Sequence, residues 1–570
     1  MEYPRAIYLI ICTEFCERFS FCGLRTILSL YLRNVLLFPE NESTVIYHIF
    51  IMFCYLIPVL GAILADSYLG RFRTIFYFSI IYAIGSVLMC FAAIPPVAFW
   101  PKGMIFFGLF LIACGTGGIK PCVAAFGGDQ FHLPLQEKYL QQFFSIFYFT
   151  INFGGLVGMI LIPFLRKSVN CFDDDTCYAL GFGFPAALMI ISLILFLIGK
   201  PLYRLKYPKE NIILSFLRCI IYSVRKLCQN NNSEIQKHWL DNSQKKFSPK
   251  LISDIKIVLA VLYLYIPLPL FWSLFDQQGS RWTFQASRMN GYIWNVQILP
   301  DQLQVINPAL VLCLIPIFDK GIYPIFNKLC RLNSALNRMI IGGIFAGFAF
   351  ITSGFLELQL EKSYPILPRN GEATLNFINT LNCDVEIRST FHSNYILNEA
   401  DSIELSSGGV YILVIRIHQS QVAFQKLFTM TQPNEIHILW LFPQYILISI
   451  AEILFAISGL EFSFTQAPKS MRTITIAAWY LSVAIGNLLV IIIIQSQFFN
   501  SQANEFFLFA GLILLNMIIF AIMTRQYKFV LLEADSSNDP LFFKNKKNER
   551  DLEPLIKIPN SHTSLIANSN

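Results

Sequence analysis

Glu14, Glu17, Arg18 and Arg25 are four charged residues inside an apolar run that begins almost at the first methionine. At 100° per residue, Glu14, Arg18 and Arg25 share one helix face, and Glu17 lies about 60° to its side. A charge at mid-helix in a bilayer costs roughly 2.5–3.5 kcal/mol on insertion scales, so such groups pair inside a bundle or line a wet pathway. Snorkelling toward an interface is the alternative, but Glu14 and Glu17 are too short to snorkel from mid-depth. The polar face is therefore read as functional. Other titratable residues stand in apolar surroundings: His48 in the second hydrophobic segment, Lys120 in the fourth and Glu461 in the tenth. His48 is the proton candidate, because an unperturbed pKa near 6.5 titrates between an acidic outer surface and a neutral interior.

These groups need a membrane scaffold, and the composition supplies one. Of the 570 residues, 55% are hydrophobic and only 14% charged, with a mean hydropathy of +0.54. Soluble chains carry about 25% charged residues, so this is a polytopic membrane protein. Apolar segments long enough to span fall near 5–31, 45–66, 74–98, 102–126, 142–165 and 178–200. A second set falls near 252–283, 303–327, 336–360, 437–463, 471–496 and 504–525. This gives an all-α protein of twelve helices in two bundles, residues 1–200 and 251–527, joined by a basic linker at 201–250.

In that linker ten Lys or Arg face only Glu210, Glu234 and Asp241, which makes it cytoplasmic by the positive-inside rule, together with both termini. Its Asn211–Cys228 stretch reads as an amphipathic helix on the inner membrane surface. Residues 361–436 form a small outward insertion between helices 9 and 10 in which Val410–Arg416 reads as a β-strand. Residues 528–570 form a polar, disordered tail. Within it, Asp551–Ile556 has the form of an acidic dileucine signal, for which chance is the better explanation. Cys171 and Cys177 flank a short polar outer loop and are expected to form a disulfide, and Asn41-Glu-Ser43 is a glycosylation sequon. Asn231-Asn-Ser233 also matches but faces the wrong compartment. No metal spacing and no nucleophile–base pair occurs, so neither an enzyme nor a cofactor is expected, and the basicity does not point to nucleic acid.

Several motifs carry a resemblance. Gly61–Arg73 resembles the major facilitator signature between helices 2 and 3, with Asp66 and Arg71 as locking charges. Glu14-Phe-Cys-Glu17-Arg18-Phe19 matches the ExxERF motif of the proton-coupled oligopeptide transporters. Gly115–Pro121 with Phe126–Phe131, Phe147–Gly154, Phe271–Trp282 and Gly459–Pro468 match further family motifs in the correct order. The resemblance spans nearly every membrane segment and is nearest to the animal di/tripeptide transporters. It implies the major facilitator fold and proton-driven symport of di- and tripeptides by alternating access, in a multi-pass plasma-membrane or endosomal protein working as a monomer. The same fold carrying histidine or an organic anion, or a peptide sensor that moves nothing, are the competing readings.

The resemblance also implies roles. Arg18 and Lys120 would bind a peptide carboxylate, Glu461 an ammonium, and Asn152 and Asn307 the amides. Tyr31, Tyr55, Tyr148, Trp272 and Trp479 would form broad walls. Protons, the coupling ion, would act through His48, Glu14, Glu17 and Glu461, while Arg25, Asp66, Arg71 and Asp319 would gate. Two departures stand out: the family's tyrosine pair after ERF is Phe21-Cys22, and an expected helix-7 arginine partner for Asp319 is Ala260.

Overall fold

The computed structural model describes residues 4–95, 100–131, 136–172, 175–205, 212–229, 238–244, 246–293, 296–322, 334–362, 395–396, 402–403, 410–418, 421–431, 436–468, 471–499 and 501–529. The tail motif Asp551–Ile556 and the Asn231 sequon lie outside these residues. The first half comprises α1 (Ala6–Asn34), α2 (Glu40–Leu64), α3 (Arg71–Ala92), α4 (Pro101–Gly128), α5 (Glu137–Ser168) and α6 (Tyr178–Ile198). The linker holds α7 (Ile212–Gln229) and a short 3-10 turn, Trp239–Ser243. The second half comprises α8 (Pro249–Tyr263), α9 (Leu268–Phe275), α10 (Arg281–Ser287), α11 (Ile306–Ile317), α12 (Ala335–Glu361), α13 (Phe442–Glu452), α14 (Ser458–Gln466), α15 (Arg472–Gln495) and α16 (Gln502–Gln526).

Among the described residues, ten helical segments are long and apolar enough to cross a membrane. An eleventh is a span bent by 50° between α8 and α9. Pro267 and Pro269 sit at that bend, where each removes a backbone donor and blocks a straight helix. Composition therefore counts ten or eleven spans, not the twelve expected. The shortfall is α1, which is 29 residues long but too rich in charge to pass. Its charges are turned inward rather than to lipid, so hydropathy alone undercounts it.

Two large apolar cores form. One joins α1 to α6 through residues such as Ile27, Tyr82, Ile112 and Phe182. The other joins α9 to α16 through Phe271, Trp282, Phe350, Phe455 and Phe509. Each core belongs mainly to one half, but Val45, Met52 and Tyr55 of α2 pack onto the second core, so apolar contacts also cross the seam. At the turn into α3, Gly70 adopts φ 75°, a conformation that favours glycine.

In the insertion the expected strand is Val410–His418, paired antiparallel with Gln421–Thr431. Cys171 and Cys177 are joined in a disulfide. Asn41 is exposed in the first turn of α2.

Candidate functional site at the seam

The charged face of α1 points into the protein. Glu14 and Glu17 are buried, and Arg18 lies between them, its Nε 3.1 Å from Glu14 Oε1 and paired with Glu17 Oε2. Thr116 of α4 donates to Glu17 Oε1 at 3.0 Å. One turn along the same helix, Lys120 brings its Nζ over the rings of Phe21 (4.5 Å) and Tyr55 (4.2 Å). That Nζ is buried with no hydrogen-bond partner. Cation–π attraction of about 0.5–2 kcal/mol offsets only part of the cost of an unmet ammonium. Phe21 therefore acts as an apolar seat for two cations, since Arg18 also lies 5.7 Å from its centroid.

Close helix crossing brings these groups together. A Cβ on Gly158 of α5 would meet the Phe19 backbone oxygen at 2.5 Å, and one on Gly154 the Phe15 oxygen at 2.9 Å. Only glycine lets α5 ride directly on α1. This places Tyr148 and Asn152 of α5 on the same side of the molecule. Asn152 Nδ2 donates back to the Tyr148 carbonyl at 2.8 Å, and the Tyr148 ring is 52% exposed.

The second half offers two glutamates, Glu461 and Glu452. Glu461 is half-exposed and pairs with Arg338 at 3.3 Å, inside its own half. It does not join Arg18 and Lys120. A second acid, the partly buried Glu452, stands one residue before the π-helical turn Ile453–Ile457. Asn307 Nδ2 donates to Glu452 Oε2 at 2.9 Å, and Ser449 donates to Asn307 Oδ1 at 2.6 Å. Glu452 stands in an otherwise apolar run, as the α1 charges do, so the buried-charge criterion applied there would have found it. The Gly459–Pro468 motif drew attention to Glu461 instead.

The aromatic walls divide. Trp272 and Trp479 meet at 5.6 Å, with Tyr265 against Trp479 at 5.8 Å, and the Trp272 Nε1 is buried without a partner. Tyr55 of the first half faces Tyr480 of the second at 6.0 Å. Tyr31 belongs elsewhere. It is packed on Tyr178 and Phe182 at 5.0 and 4.9 Å inside the first bundle, because its position on α1 faces α6 rather than the seam.

His48 also differs from expectation in its surroundings. It is fully buried within a network that sequence reading missed. Arg25 donates to Asp276 Oδ1 at 2.8 Å and to the Tyr47 hydroxyl at 2.6 Å. Asn487 Nδ2 donates to Asp276 Oδ2 at 2.7 Å and to the Val483 carbonyl, so its Oδ1 accepts from His48 Nδ1 at 2.7 Å. In the neutral ring Nε2 then accepts from Ser280 at 2.9 Å. Asp276 and Ser280 lie in a quoted motif but carried no assigned role, and Asn487 carried no signal at all.

This network is one of several clasps between the halves on the side of the Cys171–Cys177 loop. Ser29 donates to the Gly279 carbonyl, Arg33 to Ser287 at 2.8 Å and Gln304 to the Thr26 carbonyl at 3.3 Å. Arg166 pairs with Asp301 at 2.9 Å, and Glu40 with Arg288. That end is sealed. Of the other gating candidates, Arg71 pairs with Asp129 at 2.5 Å within the first half, and Arg25 is a cross-seam clasp. The side chains of Asp66 and Asp319 lie outside the described ones.

The chain is 34% identical to "Peptide transporter family 1" of Drosophila melanogaster, covering 95% of this chain and 90% of that protein. It is 33% identical to "Solute carrier family 15 member 1" of Homo sapiens, over 93% and 94% of the two chains. The fold matches the crystal structure of the POT family transporter PepTSo with a TM-score of 0.71 and 26% identity, covering 92% and 98%. Residues 72–399 and 405–509 match the PTR2 family model, described as the POT family, and the chain is a member of that family.

Proposed function

We propose that this protein is a proton-coupled symporter of di- and tripeptides that works by alternating access between its two halves. The observation that carries the reading is the buried cluster of Glu14, Glu17, Arg18 and Lys120, in which the Lys120 ammonium has no hydrogen-bond partner. A buried cation without an acceptor is a seat for an anion, and a peptide supplies a carboxylate. Arg18 holds two carboxylates by charge at its Nε, and its planar fork suits a further carboxylate. A proton arriving at Glu14 or Glu17 loosens that hold and frees the guanidinium for the peptide. Across the seam, Glu452 exchanges its Asn307 partner for the peptide ammonium, and Asn307 then turns to a peptide amide. Tyr55, Tyr480 and the Trp272–Trp479 pair give walls with no side-chain preference, as a carrier of varied peptides requires.

With the Cys171–Cys177 end clasped, the carrier rests closed on that side. Reopening it requires the Arg25–Asp276–Asn487–His48 network to part, and a proton on His48 removes the Nε2 acceptor that holds Ser280. One proton moving down 100 mV supplies about 2.3 kcal/mol, enough for roughly fiftyfold accumulation. By the positive-inside rule the basic linker and both termini face the cytoplasm. The protein works as a monomer in the plasma membrane. Proteoliposomes with an imposed proton gradient and membrane potential should accumulate a labelled dipeptide, and an uncoupler should stop them. Binding without gradient-driven accumulation would overturn symport and leave a sensor.

A further inference from the structure

Helix α7 has three faces. Phe216, Cys219 and Ser223 are buried, and Cys219 Sγ lies 3.3 Å from Ser243 Oγ in the 3-10 turn that backs it. Leu217, Ile221, Val224 and Leu227 form an exposed apolar stripe at spacings of four, three and three. Arg218 and Arg225 are exposed along the edge of that stripe. Lys226 and Lys246 gather around the Tyr222 ring at 5.8 and 5.1 Å on the remaining side.

The level of α7 follows from what its buried face touches. Its apolar cluster joins Phe216 and Cys219 to Ala62 of α2, Ile252 and Ile255 of α8, and Met471 and Ile474 beside or within α15. These residues sit within about two turns of the ends of three spanning segments, some 10 Å along a helix axis. The helix therefore lies at the membrane edge and leans on both halves at once. Its apolar stripe is too narrow to span and has no protein partner among the described residues, while two guanidiniums flank it.

We infer that α7 docks on an anionic leaflet, with the Leu217–Leu227 stripe in the acyl boundary and Arg218 and Arg225 on lipid phosphates, and so ties the linker-side seam to the lipid composition. Charge decides the occupant. The linker holds ten basic residues against three acidic ones, and each basic side chain near such a surface strengthens binding about fivefold. An apolar protein groove would not account for that excess.

The test uses the full chain in nanodiscs of neutral phosphatidylcholine, or of phosphatidylcholine with 30% phosphatidylserine. Hydrogen exchange is read over the α7 segment, with α16 as internal reference. Slower exchange of α7 in the anionic discs, by at least about fivefold, is expected, with α16 unchanged. R218Q/R225Q should abolish the difference, and R218K/R225K should retain it, which separates loss of charge from misfolding. Equal α7 exchange in both discs overturns the proposal. So does protection given in neutral discs by soluble inositol hexakisphosphate alone, which would assign the basic edge to a free phosphate. Either result leaves peptide symport untouched, because the readout is independent of uptake.

Discussion

Asp276→Asn is the perturbation that most directly tests the clasped seam. Asp276 is 2% exposed and accepts from Arg25 of the first half and Asn487 of the second. The substitution keeps the shape, removes the charge and leaves one acceptor oxygen for the two donors Arg25 and Asn487. Breaking one side of a buried ion pair costs about 3–5 kcal/mol. The lower figure applies here, because the Tyr47 bond survives and the Arg25 side chain retains 16% exposure. That cost falls only on the state closed at the Cys171 end, since opening returns Arg25 to water. About 3 kcal/mol shifts the balance toward the open state by roughly a hundredfold. Ser29 reports it: its hydroxyl is fully buried against Gly279 across the seam. A membrane-impermeant thiol reagent, read by mass spectrometry, should leave S29C unlabelled in the otherwise native chain and label it readily with D276N. Unchanged protection in D276N would refute the reasoning, because it would mean that the network does not set the closed population.

Lys120→Gln should separate stability from function. Removing a buried ammonium without an acceptor is expected to raise the melting temperature by about 2–5 °C, while gradient-driven dipeptide uptake falls more than tenfold. Glu452 and Glu461 should part company. E461Q breaks a half-exposed pair worth about 0–1 kcal/mol and should leave uptake within a few-fold of normal. E452Q removes the charge from the acceptor for an ammonium, a charge-assisted bond worth about 1.5–3 kcal/mol, and should lower apparent dipeptide affinity by ten- to a hundredfold; equal effects of the two would reject the assignment. The disulfide closes a short loop, with a sequence separation of 6, so reduction should cost about 2 kcal/mol of stability. A reductant should lower the melting temperature of the native chain and leave that of C171S/C177S unchanged.

The sequence by itself determined the class of molecule and the existence of a buried ionic face. Charge inside an apolar run is expensive wherever it falls, so Glu14, Glu17, Arg18 and Lys120 were legible without coordinates. The same holds for the basic linker and its amphipathic helix, because charge excess and helical spacing are properties of the chain alone. Tertiary structure decided which groups meet. Tyr31 and Tyr55 are alike in sequence context, yet one faces α6 and the other Lys120, because the rotation of each helix is set by its packing partner. Glu461 stands in a conspicuous motif and Glu452 does not, but only the latter lies beside Asn307, where a neighbouring helix can supply its hydrogen bond. The His48 network was wholly hidden, since its members come from four separate segments and an asparagine such as Asn487 gives no sign of its partners until the halves close around it.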